Sequence, residues 1–140
     1  MKEEEFQQKY AEYTILKTQI ESLIQELNAM GGVEMELLAA KNTIESLKGA
    51  KDSEIMVPLG GNSFVMADLK DKGYVLTGVG AGVVVEKKVS DAVESIGTQL
   101  ETLTDGRAKL EGQIKKMGER LGALEPELQA YLQTMQAKKK

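Results

Sequence analysis

Glu54-Ile-Met-Val-Pro-Leu-Gly-Gly-Asn-Ser-Phe-Val-Met-Ala-Asp-Leu69, Lys70-Asp-Lys-Gly73 and Tyr74-Val-Leu-Thr-Gly-Val-Gly-Ala-Gly-Val-Val-Val-Glu-Lys-Lys88 are three consecutive pieces of the chain, and reading them decides the fold. Short β-branched and aromatic runs separated by glycine-bearing turns signal β-hairpins. The runs predict four strands, Glu54 to Leu59, Ser63 to Leu69, Tyr74 to Gly80 and Val83 to Lys87. Turns fall at Gly60-Gly61-Asn62, Asp71-Lys72-Gly73 and Gly80-Ala81-Gly82. Ile55, Val57 and Leu59 alternate onto one face of the first strand, and Pro58, which lacks an N–H, suits a strand edge. The later strands are apolar on both faces, and their Phe64, Met66, Tyr74, Leu76, Val79, Val83 and Val85 join Ile55, Val57 and Leu59 as the residues expected to meet other subunits.

So short a stretch of twisted sheet cannot enclose a core, and isolated strands are marginal in water. The flanking segments have seams of their own to bury. The cover expected over these ten apolar side chains is therefore sheet from other subunits, closing a barrel and removing the edges. The expected organisation has three parts: an N-terminal coiled-coil helix over 1–53, two hairpins serving as an oligomerisation platform over 54–88, and a C-terminal coiled-coil helix over 89–140. The fold class is mostly α with a central β module, a long antiparallel two-helix coiled coil joined by the two β-hairpins.

From Phe6 the first arm shows Phe6, Tyr10, Tyr13, Lys17 as an exception, Ile20, Ile24 and Leu27 at alternating steps of four and three, which is a heptad seam. Leu16, Leu23 and Met30 widen the stripe. After Gly31-Gly32 the series resumes one residue out of phase as Val33, Leu37, Ala40, Ile44 and Leu47, so a bend or local over-winding is expected at the glycines. The second arm alternates without a break: Val89, Val93, Ile96, Leu100, Leu103, Arg107, Leu110, Ile114, Met117, Leu121, Leu124, Leu128, Tyr131 and Met135. Asp91 and Glu94 have capping-box spacing, which would place Val89 just ahead of the helix. Pro126 lies off the seam and is expected to kink the last turns. The arms are of similar length, each near 70 Å at about 1.5 Å per residue. Reversal at the hairpins sets them antiparallel, with Leu47 opposite Val89 and Phe6 opposite Met135.

Composition narrows the function. The 140 residues carry a net charge of -4, concentrated in the first arm, which is not the basic footprint of a nucleic-acid binder. Cys and His are both absent, which removes disulfides, thiolate or imidazole metal sites, and Cys- or His-based catalysis. The Met-Lys-Glu-Glu-Glu start has no apolar segment of a secretory signal, and no run approaches a membrane span. No cofactor is expected. Gly78-Val-Gly-Ala-Gly82 precedes another β-rich run rather than a helix, so it reads as a turn and not as a phosphate cradle. Asp68 and Asp71 flank a turn, where Asp makes local hydrogen bonds. Lys138-Lys139-Lys140 reads as a solvated tail.

The functional question sits at the open ends of the arms. There Phe6, Tyr10 and Tyr13 arrive beside Leu128, Tyr131, Leu132 and Met135. The last turns of a two-helix hairpin leave such side chains partly exposed, and exposed apolar clusters mark interaction sites, with Met the most adaptable. The plainer reading is that these residues finish the coiled coil. A coiled-coil adaptor binding one folded partner is the structural alternative to a binder of diverse chains. No nucleophile, base and oxyanion arrangement can be assembled from these residues, so an enzyme is not expected.

The order helix, Val57-Pro58-Leu59-Gly60, two hairpins with the Gly78-Val-Gly-Ala-Gly82 turn, Val83-Val-Val-Glu-Lys87 and a second helix resembles the α subunits of the prefoldin family, archaeal type. That resemblance covers nearly the whole chain. It implies a heterohexamer of two α and four β subunits, whose hairpins build a double β-barrel platform from which coiled-coil arms hang. It also implies a cytoplasmic chaperone whose arm tips hold unfolded clients and pass them to a group II chaperonin without ATP, with no nucleic acid or membrane as partner.

Overall fold

The computed structural model describes residues 1–49, 51 and 53–139. Of the C-terminal lysine run, Lys140 lies outside the described residues. The elements in chain order are α1 (Glu3–Gly49), β1 (Glu54–Gly60), β2 (Ser63–Asp68), β3 (Tyr74–Gly80), β4 (Val83–Lys88) and α2 (Val89–Lys138). Each strand lies within a residue or so of its expected bounds, and α1 ends at Gly49. The chain divides into two compact units, one formed by Met1–Gly32 with Leu103–Lys140 and the other by Val33–Thr102.

The second unit holds the hairpins. β1 pairs antiparallel with β2, and β3 with β4, as two separate two-stranded sheets. In the first, Ile55 faces Ala67 and Val57 faces Val65. Gly60 pairs with Ser63, so the loop is Gly61-Asn62, with φ of 57° and 62°. Two central residues in the left-handed region form the type I′ turn, whose twist matches that of the strands. The second hairpin repeats the device with Ala81 (φ 52°) and Gly82 (φ 74°) between Gly80 and Val83. The expected three-residue turns are thus two-residue loops, each preceded by a glycine that ends its strand after a register shift. The Asp71 reading holds, since Gly73 N donates to Asp71 Oδ1 at 2.8 Å.

Val89 N donates to Gly73 O at 2.9 Å, and α2 starts at Val89 itself. Asp91 therefore stands inside the first turn, where its charge suits the helix N-terminus, rather than at the cap. Among the described residues of this unit, Val89 and Ala92 are buried.

The first unit pairs the beginning of α1 with the end of α2, and its buried residues are Leu124 and Leu128. The helix continues through Pro126 between them. The sheltered positions of α2 follow the expected series as far as Tyr131. Those of α1 do not. They run Phe6, Lys9, Tyr13, Leu16, Ile20, Leu23, Leu27 and Met30, a three-four alternation in which Tyr10, Lys17 and Ile24 are exposed. In the second unit Glu34, Leu37, Ala40, Lys41, Ile44 and Leu47 are half-buried, while Val33 is exposed. Of the series expected after Gly31-Gly32, Leu37, Ala40, Ile44 and Leu47 are thus sheltered and Val33 is not. The two α1 series share every other member, and the sequence reading took the aromatic Tyr10 where the structure uses the aliphatic stem of Lys9. Gly106 gives Met30 its place, since a Cβ there would lie 3.1 Å from Met30 Cε.

Candidate functional site

The helix ends of the first unit gather all seven residues expected at the tip, in two different roles. The Phe6 ring stacks on Tyr131, with centroids 4.4 Å apart and planes at 21°, and lies 6.0 Å from the Tyr10 ring. Phe6 therefore faces Tyr131, a turn before Met135. Stacked aromatic pairs contribute about 0.5–1.5 kcal/mol beyond their burial. Phe6, Tyr13 and Tyr131 are half-buried and Leu128 is buried, so these four hold the ends together. Tyr10, Leu132 and Met135 remain 54%, 47% and 39% exposed. They are the part of the cluster that a partner can cover.

Two grooves flank the stack. A small one of about 140 Å³ is lined by Tyr10, Tyr13, Glu125, Leu128, Gln129 and Leu132. A wider one of about 530 Å³ is lined by residues including Tyr131, Met135, Glu127 and Lys138. Farther along the unit, the Leu23 and Met117 side chains floor an open hollow of about 540 Å³.

Ion pairs frame the ends, and the sequence reading missed them. Lys9 Nζ donates to Glu127 Oε2 at 2.6 Å and also lies 3.2 Å from Glu5 Oε1. Arg120 forks onto Glu12, with Nε to Oε1 at 2.7 Å and Nη2 to Oε2 at 2.9 Å. The hydrogen bond from Arg120 holds the Glu12 carboxyl below its ordinary range, and that from Lys9 does the same for Glu127. Lys9 and Arg120 are correspondingly raised by Glu127 and Glu12. All four groups remain solvated, so these pairs fix geometry more than they add stability. The available signal was the antiparallel register, which sets Lys9 across from Glu127 only once Phe6 is placed on Tyr131.

In the second unit, the face of the first hairpin bearing Ile55 and Val57 is half-buried. Leu59, Phe64, Met66, Tyr74, Leu76, Val79, Val83 and Val85 are exposed. Leu76 is 75% exposed and Met56, its counterpart in the first hairpin, 62%. Among the described residues, no group of His, Cys, Asp and Glu could hold a metal ion, and no helix is long and apolar enough to cross a membrane.

The family model described as Prefoldin subunit matches residues 16–134. This chain belongs to the prefoldin family. Its relatives within that family include a Methanococcus aeolicus protein named prefoldin subunit alpha, 33% identical over 95% of this chain and 91% of that one. The Pyrococcus horikoshii prefoldin subunit alpha is 28% identical, over 79% of this chain and 76% of its own. In fold, the chain is similar to a subunit of filamentous prefoldin from Methanocaldococcus jannaschii solved by cryo-electron microscopy, with a TM-score of 0.71 at 23% identity, covering 84% of this chain and 98% of that one. The prefoldin fold expected from the hairpins, two long helices with two β-hairpins between them, is the fold observed. Prefoldin is a family of chaperone subunits and not of enzymes.

Proposed function

We propose that this chain is the α subunit of a cytoplasmic, ATP-independent holdase. Two copies join four β subunits, and the two hairpins of each α chain add their strands to a shared β-barrel platform. The apolar side chains exposed on both hairpins support this, because separate two-stranded sheets are marginal alone and gain most from partner strands. Clients are unfolded proteins, held at the paired helix ends and passed to a group II chaperonin.

The observation that carries the reading is the exposure of Tyr10, Leu132 and Met135 beside a packed Phe6–Tyr131 stack. Packing fixes the cluster while leaving its outer side chains uncovered. A patch this small binds weakly. Several such ends on one oligomer raise the effective concentration of the second and third contacts, so a client is retained while each contact exchanges quickly. Release then needs no nucleotide, only a receptor that competes for the same contacts.

The test replaces Tyr10, Leu132 and Met135 with Ser and leaves Phe6 in place to preserve the stack. The variant, reconstituted with its β partner, is assayed for suppression of aggregation of an unrelated unfolded protein without ATP. Assembly is expected to persist and protection to fall. Undiminished protection would sink the helix-end assignment. A wild-type oligomer that protects no unfolded protein and binds one folded partner would indicate the coiled-coil adaptor instead.

A further inference from the structure

The small groove has a chemical bias that bears on which segments are held, an inference that rests on the capture reading above. We propose that the groove between Tyr10, Tyr13, Leu128 and Leu132, with Glu125 at its edge, selects unfolded segments in which an aromatic or large aliphatic residue adjoins Lys or Arg.

Size comes first. The groove measures about 140 Å³, close to the roughly 150 Å³ that suffices for a benzene ring in an apolar cavity. It therefore accommodates one ring or branched side chain at a time. Besides Glu125 and Gln129, its walls are two phenol rings and two leucines, which suit an apolar insert, and the tyrosine faces also attract a cation lying over them.

Charge supplies the selection. Glu125 is the one charged residue that lines this groove. The nearby carboxylates of Glu5, Glu12 and Glu127 are engaged by Lys9 or Arg120. Those two cations, occupied elsewhere, leave Glu125 with no ion-pair partner among the described residues. The wider groove differs, since its Glu127 is already bound to Lys9 and Lys138 adds a positive charge. An unfolded segment that seats an apolar side chain in the small groove thus brings its neighbouring residue to an unneutralised carboxylate. Lys or Arg there is attracted, and Asp or Glu is repelled.

The experiment uses the oligomer reconstituted with its β partner and two fluorescein-labelled Gly/Ser peptides with a central Phe-Leu, flanked in one by Lys and in the other by Glu. Binding is read by fluorescence anisotropy at about 0.05 M and about 0.5 M salt, on either side of the ionic strength at which exposed charges become screened. The Lys peptide is expected to bind about two- to five-fold more tightly at low salt, the range of an exposed ion pair, with the ratio falling towards one at high salt. Glu125→Gln is expected to bring the two peptides together by weakening the Lys peptide alone. No preference in the wild type, or one that survives in Glu125→Gln, overturns the proposal. The Tyr10, Leu132 and Met135 serine variant separates the two ideas. If it binds both peptides like the wild type, capture at the helix ends fails and the selection fails with it. If it loses both while Glu125→Gln leaves their ratio unchanged, only the selection fails.

Discussion

Leu124→Ala and Leu132→Ala remove the same atoms from one helix, two turns apart, and should do opposite things. Leu124 is 0% exposed, whereas Leu132 is 47% exposed on the small groove. Truncating a buried Leu costs about 2.7–5 kcal/mol, depending on how far its surroundings collapse. Around Leu124 only two helices line the space and both can settle, so about 3 kcal/mol is the appropriate end of that range. Local opening of the helix ends should become easier by roughly a hundredfold, at about 1.4 kcal/mol per factor of ten. Leu132 has about half of its side chain to lose from cover, and fully burying a Leu yields about 1.5–3 kcal/mol, so its truncation should cost about 1 kcal/mol. Amide hydrogen exchange of α2 near residues 120–132, measured in the assembled oligomer, reads both values. Suppression of aggregation is scored on the same samples. Leu124→Ala should lose exchange protection about a hundredfold, while Leu132→Ala should lose no more than about tenfold and yet forfeit client protection. Equal exchange losses would refute the division of this cluster into packing and binding residues, as would undiminished client protection in Leu132→Ala.

The ion pairs predict an acid limit. Glu12 and Glu127 are held below the ordinary 4.5, so their contribution is present above that value and is lost as pH falls through their lower folded values. Exchange protection at the helix ends should be flat from neutrality to about pH 5 and decline below about pH 4, and Glu12→Gln with Glu127→Gln should flatten that decline. Lys9 and Arg120 stay charged throughout this window because both are raised. Gly112, Gly118 and Gly122 each have open space where a Cβ would stand, with nothing within 4 Å, so Ala at all three should raise the midpoint of thermal unfolding, by about 0.4–1 kcal/mol per site. Gly106→Ala should gain less, because Met30 must give way. Met56→Asp with Leu76→Asp should abolish assembly in light scattering while far-ultraviolet circular dichroism keeps its helical signal; an oligomer of normal mass would argue against the hairpins as the platform.

The hairpins were the most legible part of the chain, because glycine placement and β-branched runs are local signals with a direct backbone cause. Gly61-Asn62 and Ala81-Gly82 both take left-handed φ, and only their two-residue length went unread. The α2 seam was equally plain, since its apolar residues occupy a single face. At the helix ends, the seven residues were identifiable as a cluster, but their division into packed and exposed members was not. That division depends on register, and a slip of one turn exchanges Tyr131 for Met135 as the partner of Phe6. Register also hid Lys9–Glu127 and Glu12–Arg120, whose members lie more than a hundred residues apart in sequence.

The misread seam of α1 has a physical cause with a consequence for how the helix ends are specified. Tyr10 and Ile24 are apolar enough to serve as seam residues, yet both face outwards, whereas α2 has no such competing stripe. Turning α1 by one residue, about 100°, would cover them and uncover Lys9, Leu16, Leu23 and Met30. Hydrophobic area already favours the observed orientation, since the rotation covers two large apolar side chains and uncovers three. Charges act in the same direction. In the rotated arrangement Lys17 would enter the seam, and Lys9 and Glu12 would leave their partners on α2. The observed orientation instead satisfies Lys9 and Glu12 together and seats Phe6 on Tyr131. Polar pairs beside a coiled-coil seam set register and orientation. Here two exposed ion pairs and the Phe6–Tyr131 stack add to the preference set by Leu16, Leu23 and Met30, and the orientation they share leaves Tyr10 uncovered beside Leu132. The seam that packs the helices is thus the one that keeps the small groove open.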